Sequence, residues 1–407
     1  MQNEGMGKIE GSNHDTDVVV IGGGISGMSL AYYCAQSGRN VTVLESRDEL
    51  GGCLHTHRVD DRFWFELGGH TAYNSYVSLL EIIEQTRGLD AVLPRQKVPF
   101  RLFVDGEIRP IARRLHVLEL LAHAPGLLFV NKQDRSVREY YSRIVGPRNY
   151  DEVFGPLFAA VPSQRADDFP AEMLFKSRKR RKDAPRSWTL RRGLQSIVDA
   201  IAEQPRVTVM TGAAAQALRR GGGGFAVETS SGITCRAPCA ALAAAPPACA
   251  ALTASEFPGL SRALSRIGVS RVKSFGVALP REAVRVERLA GIIPLDGRFF
   301  SAVSRDVIPD DDFRGFTFHF GQEATRDQAV REIAAVLKTE ARQIEHVVER
   351  EILLPSPKRG HAGIVSEIDA AIAGHRLLIT GNFFAGLSIE DCVQRSKSEG
   401  QRLTRRR

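Results

Sequence analysis

The first apolar run of the chain is short, continuous and followed by a helical pattern. Residues 18–21 read Val-Val-Val-Ile without polar alternation, which predicts a parallel strand buried on both faces. Residues 28–37 then predict a helix, and residues 41–44 predict a second buried strand. This order is a β-α-β unit, and it predicts an α/β domain with a parallel sheet.

Helical periodicity dominates the next block, residues 77–186. Apolar residues recur at spacings of three and four in four segments: 79–83, 115–121, 137–144 and 150–161. A hairpin interrupts them at residues 100–111, where Asp105-Gly106 is the predicted turn. The block therefore predicts a mainly helical insertion.

Strand patterns return from residue 187 onward. A turn and an amphipathic helix over residues 188–201 precede a strand at 207–210, a hairpin around 221–224 and a strand at 235–245. The later strand-like segments are 269–279, 291–294, 299–303 and 315–320, and residues 326–338 predict a helix. These segments predict a second sheet with a helix at its back.

Length and composition are those of an ordinary globular chain. The 407 residues predict two or three domains, with 43% apolar and 25% charged residues. No window approaches eighteen uninterrupted apolar residues, and residues 1–14 lack the apolar segment of a secretory signal, so we expect a cytoplasmic protein. The six cysteines lack Cys-x-x-Cys spacing and are expected to be reduced thiols. No metal site is predicted.

Positive charge is concentrated in two runs. The net charge is +8, and residues 176–182 and Arg405-Arg406-Arg407 are the densest basic segments. One interpretation is a solvated loop and a frayed tail; the other is attraction to anionic lipid, a carboxylated substrate or nucleic acid. No aromatic residues interleave with the basic run, so nucleic acid is not expected as a partner.

The turn after the first strand carries candidate chemistry. Gly22, Gly24 and Gly27 form G-x-G-x-x-G at the start of a helix, where unpaired N–H groups favour a pyrophosphate. Glu45 ends the second strand at the spacing expected of a carboxylate that binds a ribose hydroxyl. A glycine-rich turn is the alternative, but strand, helix, second strand and acid together favour a dinucleotide site.

The next segment narrows the choice of dinucleotide. Residues 47–56, with Gly51-Gly52 at their centre, lead into Phe65-Glu66-Leu67-Gly68-Gly69-His70. This resembles the FAD-binding start of the flavin amine oxidase and protoporphyrinogen oxidase superfamily. The resemblance implies FAD rather than NAD. The superfamily usually places Arg or Lys after the Gly-Gly pair, whereas Cys53 stands here, so Arg47 is the candidate for the missing charge.

The C-terminal segment is similar to the same superfamily. Residues 375–393 predict a buried strand, a glycine turn and a helix start, and they resemble the C-terminal flavin motif of protoporphyrinogen oxidases. The resemblance implies that Gly381-Asn382 approaches the pyrophosphate and ribitol. It also implies that the N–H groups of Ser388 and Ile389 face the electron-rich end of the flavin, and that Ala213 lies against the adenine.

Together, motif and resemblance imply one set of cofactor-binding residues and one architecture. The residues are Gly22, Gly24, Ile25, Ser26, Gly27, Glu45, Ser46, Arg47, Gly51, Gly52, Cys53, Gly68, Gly69, His70, Ala213, Gly381, Asn382, Ser388 and Ile389. The architecture is α/β: a Rossmann-like FAD-binding domain of the amine oxidase type, with a mixed-sheet substrate domain and an inserted helical subdomain. The predicted limits are 1–76, 187–255 and 355–407 for the FAD-binding pieces, 77–186 for the helical subdomain and 256–354 for the substrate sheet.

Three side chains are candidates for roles beyond the cofactor. His70 is either a hydrogen-bonded core histidine or a group that touches substrate or flavin and titrates near neutral pH. Arg101 matches the arginine that protoporphyrinogen oxidases place ahead of an Asp-Gly turn to meet a substrate propionate; an exposed hairpin arginine is the alternative. Lys358 is either solvated or comparable to the flavin-side lysine of several amine oxidases.

The resemblance implies an FAD-dependent oxidoreductase. Hydride would pass from a hydrophobic substrate, with or without a carboxylate, to flavin N5, and oxygen or another electron acceptor would complete the cycle. Two alternatives stay open: a flavoenzyme without net redox, similar to UDP-galactopyranose mutases through Gly-Gly-His, and a flavin-bearing partner protein without turnover. Peripheral contact with the inner face of the membrane, through the basic run and residues 137–171, also stays open, as does oligomerisation.

Overall fold

A computed structural model describes residues 13–60 and 62–404 of the chain. The basic tail at residues 405–407 and most of the polar N-terminal segment lie outside the described residues. Two large sheets organise the molecule, and the chain passes between them several times. The parallel sheet positions the glycine motifs, and the mixed sheet covers them.

The parallel sheet has five strands and takes them from three distant parts of the chain. Each strand pairs in parallel with its neighbour, and four of the five are buried along their whole length. In spatial order the strands are β11 (Val207–Met210), β3 (Val41–Leu44), β2 (Val18–Ile21), β15 (Cys239–Leu242) and β21 (Leu377–Ile379). The three strands predicted at 18–21, 41–44 and 207–210 are confirmed.

Four helices pack together with this sheet in one hydrophobic core. They are α1 (Ile25–Gln36), α2 (Val77–Thr86), α8 (Ser196–Ala202) and α13 (Ile389–Thr404). The prediction that the first helix starts at residue 28 is wrong by three residues, because Gly24 already has the extended backbone of an N-cap. α2 shares this core, although the predicted domain limit at residue 76 assigns it to the helical subdomain; the domain limits stay predictions.

A four-stranded sheet lies beside the parallel one. Its order is β1 (Asn13–Asp15), β14 (Thr234–Ala237), β13 (Gly224–Thr229) and β12 (Ala215–Gly221), so the hairpin predicted around 221–224 is confirmed. The strand predicted at 235–245 is wrong as a single element, since it divides at Pro238 into β14 and β15, which belong to different sheets. Proline has no N–H for a strand ladder, so the division falls there.

Helices that the periodicity did not identify cover the second core. They are α9 (Pro246–Thr253), α10 (Pro258–Ser265) and α12 (His361–Ile372). Pro246 and Pro247 follow the strand predicted at 235–245 and begin α9, because proline needs no backbone N–H in the first turn of a helix.

The second large sheet is mixed and has seven strands. In spatial order they are β20 (His346–Pro355), β16 (Val269–Pro280), β19 (Phe313–Gly321), β18 (Ser301–Ser304), β17 (Gly291–Pro294), β8 (Phe100–Val104) and β9 (Glu107–Pro110). Only the β17–β8 pair among these neighbours is parallel. α11 (Arg326–Leu337) packs on one face, as predicted. The hairpin at Asp105-Gly106 is confirmed, but it extends this sheet instead of standing alone in the helical block.

The remaining elements are short. The helical block contains α3 (Val117–His123), α4 (Gly126–Phe129), α5 (Val137–Val145), α6 (Pro147–Asn149) and α7 (Gly155–Ala159), with a π-helical turn at Tyr150–Phe154. The helix predicted over 150–161 is confirmed, with its ends at Pro147 and Ala159, and its hydrogen bonding changes from a π-helical to an α-helical repeat at Gly155. Two small sheets contain β4 (Thr56–Arg58) with β5 (Trp64–Glu66), and β6 (Ala72–Tyr73) with β10 (Ser187–Leu190) and β7 (Val92–Pro94).

Candidate functional site

A cleft of about 460 Å³ opens between the parallel sheet and the mixed sheet. Its floor is made at the carboxyl ends of β2, β3, β15 and β21, which is where open α/β sheets bind their ligands. Fourteen of the nineteen residues expected at the cofactor line it: Gly22, Gly24, Ile25, Ser26, Glu45, Ser46, Arg47, Gly52, Cys53, Gly68, Gly69, Gly381, Asn382 and Ile389. Their roles toward a cofactor stay predictions.

The glycine turn leaves room where a side chain would stand. A Cβ on Gly24 would be 3.7 Å from the Cα of Gly52, and a Cβ on Gly52 would be 3.1 Å from the Cα of Gly24, so two backbones form a narrow cradle. Gly22 has a φ of +113°, which favours glycine, and its N–H donates to the carbonyl of Leu44. No side chain caps the N-terminus of α1, so its first N–H groups are free to bind a phosphate.

Glu45 is held in place at the end of β3. One carboxylate oxygen accepts the N–H of Gly23 at 2.7 Å, and the other accepts the N–H of Arg47 at 2.9 Å and the hydroxyl of Ser46 at 3.1 Å. Each carboxylate oxygen has two lone pairs, so Oε2 can still accept a ribose hydroxyl. The cradle, the free helix N-terminus and the fixed carboxylate together fit the adenosine diphosphate half of a dinucleotide.

A buried arginine that the sequence did not indicate contacts the glycine pair beside Cys53. Arg350 of β20 is buried, donates to the carbonyl of Gly52 at 3.1 Å and forms an ion pair with Glu49. Arg47 lines the cleft and donates to the carbonyl of Glu351 at 3.3 Å. Burial raises the pKa of the Cys53 thiol, so this cysteine is a neutral neighbour of the cradle.

Five expected cofactor residues do not line the cleft. Gly27 packs against Gly22, since a Cβ there would stand 1.9 Å from the Gly22 carbonyl oxygen. Gly51 turns below the cradle, with a φ of +116°. Ala213 is buried and donates its N–H to the carbonyl of Glu45. Ser388 exchanges hydrogen bonds with Asp391, and His70 lies in the wall of a smaller inner cavity.

The basic run meets the start of α13. Asp391 is buried, and it accepts hydrogen bonds from Lys176 at 2.9 Å, Arg178 at 2.7 Å and the Ser388 hydroxyl at 2.6 Å. These donors lower the pKa of the Asp391 carboxyl against the opposing effect of burial. Part of the run at 176–182 therefore ties the helical block to α13, while Lys179, Arg180 and Lys182 are exposed.

The far end of the cleft is mainly apolar. It is lined by Val161, Pro162, Leu387, Val272 and residues 352–354, and His319 is a polar group in that wall. Residues 243–245 and 248 line the floor beyond β15. Sequence reasoning missed this whole set. The carboxyl end of a buried run could have indicated the alanines, and the alternating pattern at 346–355 could have indicated β20.

His70 and His319 form a pair between the cleft and the inner cavity. Their Nε2 atoms lie 2.8 Å apart, and Nδ1 of His319 is 2.8 Å from the Ser274 hydroxyl. Burial lowers the pKa of His319 to about 4, and burial together with His319 and Arg95 holds the pKa of His70 well below its usual range. Both rings are neutral near pH 7, so one donates to the other.

The inner cavity on the other side of His70 holds little more than one water molecule, at about 20 Å³. Glu66, Arg95 and Thr189 are among the residues that line it. Burial raises the pKa of Glu66 to about 7, although the Leu194 N–H and the Thr56 hydroxyl donate to its carboxylate. His70 thus connects two chambers instead of lining the cleft itself.

Two further candidates lie away from the cleft. Arg101 is on β8 and donates from Nε to Glu287 at 2.5 Å. Lys358 lines a separate surface depression with Arg138 and Asp167. In the described part of the chain, no group of three or more His, Cys, Asp or Glu residues is arranged to hold a metal ion. No helix among residues 13–60 and 62–404 has the length and apolar composition to cross a membrane.

The fold and the cleft define a dinucleotide-binding α/β protein whose site is covered by a mixed sheet. The family model for flavin containing amine oxidoreductases matches residues 25–345, and the chain belongs to that family. The family's cofactor is FAD, in agreement with the expectation from the two motifs. The cradle and Glu45 are the features of this chain that fit the cofactor.

Individual relatives match over short stretches only. The chain is 47% identical to the flavin-containing amine oxidase A of Sus scrofa over 62 residues, 15% of this chain and 12% of the relative. It is 53% identical to the flavin-containing amine oxidase B of Homo sapiens over 53 residues, 13% of this chain and 10% of the relative. Each match covers about a tenth of the relative's length, so the activity of these relatives does not carry over to the whole chain.

The similarity of fold to a solved structure extends over nearly the whole chain. The crystal structure of a protein described as a proposed protoporphyrinogen oxidase, from Exiguobacterium sp. 255-15, superposes with a TM-score of 0.78. The superposition covers 98% of this chain and 100% of that one, at 17% sequence identity. The similarity confirms the predicted architecture, a Rossmann-like FAD-binding fold of the amine oxidase type.

Proposed function

We propose that this chain is an FAD-dependent oxidoreductase, an oxidase or dehydrogenase that removes hydride from a hydrophobic substrate. The observation that carries the proposal is a single cleft that joins the glycine cradle to an apolar chamber beneath the mixed sheet. When bound, the flavin ring supplies a hydride acceptor at N5, and oxygen or another acceptor takes the electrons onward.

The chain's own residues would bind and orient. The N-terminus of α1 and the cradle of Gly24 and Gly52 would hold the pyrophosphate, and Glu45 would accept a ribose hydroxyl. Residues of the parallel sheet and of α13 meet in the same cleft, so the reactive ring would be held from both ends of the chain. A site built on strand ends is rigid, which favours precise orientation.

The apolar chamber would exclude water and select the substrate. Val161, Leu387 and Val272 would contact a hydrophobic body. Both ring nitrogens of neutral His319 are engaged by His70 and Ser274, so this ring would present only its carbon edge to the substrate. A carboxylate on the substrate finds less support, because Arg101 is paired with Glu287 away from the chamber. The hydrophobic part of the substrate prediction is therefore the part that we retain.

The mutase-like alternative rests on His70, whose ring nitrogen meets His319 instead of the cleft. The non-catalytic alternative has no structural observation in its favour. Both alternatives serve as outcomes of the substrate test: anaerobic mixing of the flavin-loaded protein with amines, porphyrinogens and sugar nucleotides. Loss of the oxidised flavin absorbance with an amine or a porphyrinogen supports the proposal. Activity that appears only after prior flavin reduction, with a sugar nucleotide, would contradict it.

The cofactor site has its own test in Gly24→Ala. The added methyl group makes only ordinary contacts, at 3.7 and 3.8 Å, in the protein alone, so the fold should be retained. It would stand in the cradle, so FAD affinity should fall by about tenfold or more. Gly363→Ala, which adds a methyl group in open space on α12, is the matched control. Equal flavin content in both variants would argue against the cradle.

A further inference from the structure

Two short helices, α3 and α4, carry a group of exposed large apolar side chains. We call it the apolar tip. Its residues, with their exposed fractions, are Val117 (59%), Leu118 (84%), Leu121 (66%), Leu127 (64%), Leu128 (82%) and Phe129 (84%). Other exposed large apolar residues of the described chain are distributed singly or in pairs. A contiguous apolar patch on a protein surface marks an interaction site.

Polar contacts on the inner side of the tip fix its orientation. Glu119 of α3 accepts the N–H groups of Arg148 and Asn149 at 2.9 and 2.8 Å, and Asn149 accepts the N–H of His116 at 2.8 Å. These contacts join the start of α3 to α6. Glu119 is therefore turned toward the protein, while Val117, Leu118 and Leu121 of the same helix are exposed.

The charge around the tip is positive. Arg113 and Arg114 immediately precede it, are exposed, and form no ion pair with any residue that the structure describes. Lys132 follows it, and its ammonium donates to the carbonyls of Leu174 and Phe175. The carboxylate of the tip, Glu119, is turned toward backbone N–H groups. An apolar surface with a cationic rim is complementary to an anionic lipid surface.

We propose that the apolar tip inserts into the interfacial layer of an anionic bilayer, with Arg113 and Arg114 at the headgroups. Leu118, Leu128 and Phe129 are each more than four-fifths exposed, so they project from the surface of the tip. Projecting side chains suit a fluid acyl layer, whereas a second copy of the chain would need a matching rigid groove. Since no described helix could cross a membrane, the contact is with one leaflet.

This surface differs from the one that the sequence indicated. Within residues 176–182, Lys176, Arg178 and Arg181 form ion pairs with carboxylates of the chain itself. Within residues 137–171, the apolar side chains of Val137, Ile144 and Phe158 are buried. In the sequence, the tip at 117–129 comes before both segments. Its large apolar side chains are exposed, whereas the three just named are buried.

The test is co-sedimentation of the full chain with vesicles. One set is phosphatidylcholine alone, and in the other about a third of the lipid is phosphatidylglycerol. We expect binding to the anionic vesicles, weakened by salt. The variant Leu118→Ser/Leu128→Ser/Phe129→Ser should lower the partition coefficient at least about tenfold. The control Tyr73→Ser/Val269→Ser removes exposed apolar side chains elsewhere and should bind as the parent does.

A second variant examines the charge. Arg113→Gln/Arg114→Gln should weaken binding to the anionic vesicles and remove most of its salt dependence. Binding of the serine variant equal to that of the parent would overturn the proposal. So would a parent chain that sediments as a dimer without vesicle binding, with the serine variant monomeric, because the tip would then meet a second copy.

Failure of this proposal is distinguishable from failure of the proposed function. The Gly24→Ala variant should lose FAD and still bind anionic vesicles, because the cradle and the tip share no residue. The serine variant should keep FAD and its reduction by a soluble substrate. Loss of vesicle binding in Gly24→Ala, with the fold intact by circular dichroism, would contradict docking through the tip.

Discussion

The nucleotide end of the cleft is formed mainly by backbone atoms, whereas the apolar end is formed by side chains. At the nucleotide end, a Cβ added to Gly24 or Gly52 would meet the backbone of the other glycine, and a Cβ added to Gly22 would lie 2.6 Å from the carbonyl oxygen of Ala243. At the apolar end, side chains from β16, β19 and β20 meet residues of the helical block. Backbone contacts tolerate almost no substitution, whereas a side-chain lining can be repacked, so the first end sets the cofactor and the second sets the substrate.

The largest expected effect tests the intolerance of the nucleotide end. In Gly27→Ala the Cβ would stand 1.9 Å from the carbonyl oxygen of Gly22, so α1 would have to move away from β2. We expect a loss of about 3 kcal/mol or more in the free energy of unfolding, measured with urea, and loss of bound FAD. Gly363→Ala, at an exposed position of α12, should keep bound FAD and should raise the free energy of unfolding by up to about 1 kcal/mol. A Gly27→Ala protein with the stability of the parent would contradict the idea that the nucleotide end tolerates less substitution than the apolar end.

A pH effect tests the apolar end. The His319 pKa is about 4 in the folded chain and 6.5 in the unfolded one, so the unfolded state binds the proton first as pH falls. The contribution of His319 to stability is therefore complete above pH 6.5 and lost between 6.5 and 4, by up to about 3 kcal/mol.

The measurement is the free energy of unfolding as a function of pH. His319→Asn should have a shallower slope than the parent between pH 4 and 6.5, with no change of slope above that range. Ser274→Ala keeps both imidazoles of the pair and should retain the parental slope. Identical slopes in the parent and in His319→Asn would mean that this end of the cleft is wetter than its burial indicates.

The smallest effect concerns the contact between the two ends. Arg350→Ala would remove the hydrogen bond to the Gly52 carbonyl and the ion pair with Glu49, at a cost of about 2 kcal/mol in stability. FAD affinity should fall as well, because the cradle loses its support. Arg271→Ala, which breaks a half-exposed pair with Glu351 on the same sheet, is the control and should cost under about 1 kcal/mol. Equal effects of the two variants on FAD binding would show that Arg350 does not support the cradle.

The contrast also explains what could be predicted. The β-α-β unit was recognisable because Gly22, Gly24, Gly27 and Glu45 are close in sequence and each has a local physical reason for its identity. The parallel strands were recognisable because they are buried on both faces and read as continuous apolar runs. Local signals of this kind, together with the family resemblance, identified the fold class and fourteen of the thirty residues that line the cleft.

Long-range pairing could not be predicted in the same way. His70 meets His319 and Arg350 meets Gly52 only after β16, β19 and β20 have paired in register. The residues around these positions in the sequence do not indicate either contact. Arg101 illustrates the converse: its position ahead of an Asp-Gly turn suggested a substrate contact, but the hairpin joins the edge of the mixed sheet, where Glu287 is its partner.

The strand order of the parallel sheet has a consequence for synthesis of the chain. β21 closes one edge of that sheet, and it leaves the ribosome roughly 350 residues after Gly22, on the order of 20 to 70 seconds later at ordinary elongation rates. Until then β15 lacks its outer neighbour, and this edge of the sheet is unpaired. The nascent polypeptide is therefore expected to need chaperone protection, and FAD should bind after the chain has left the ribosome and not during translation.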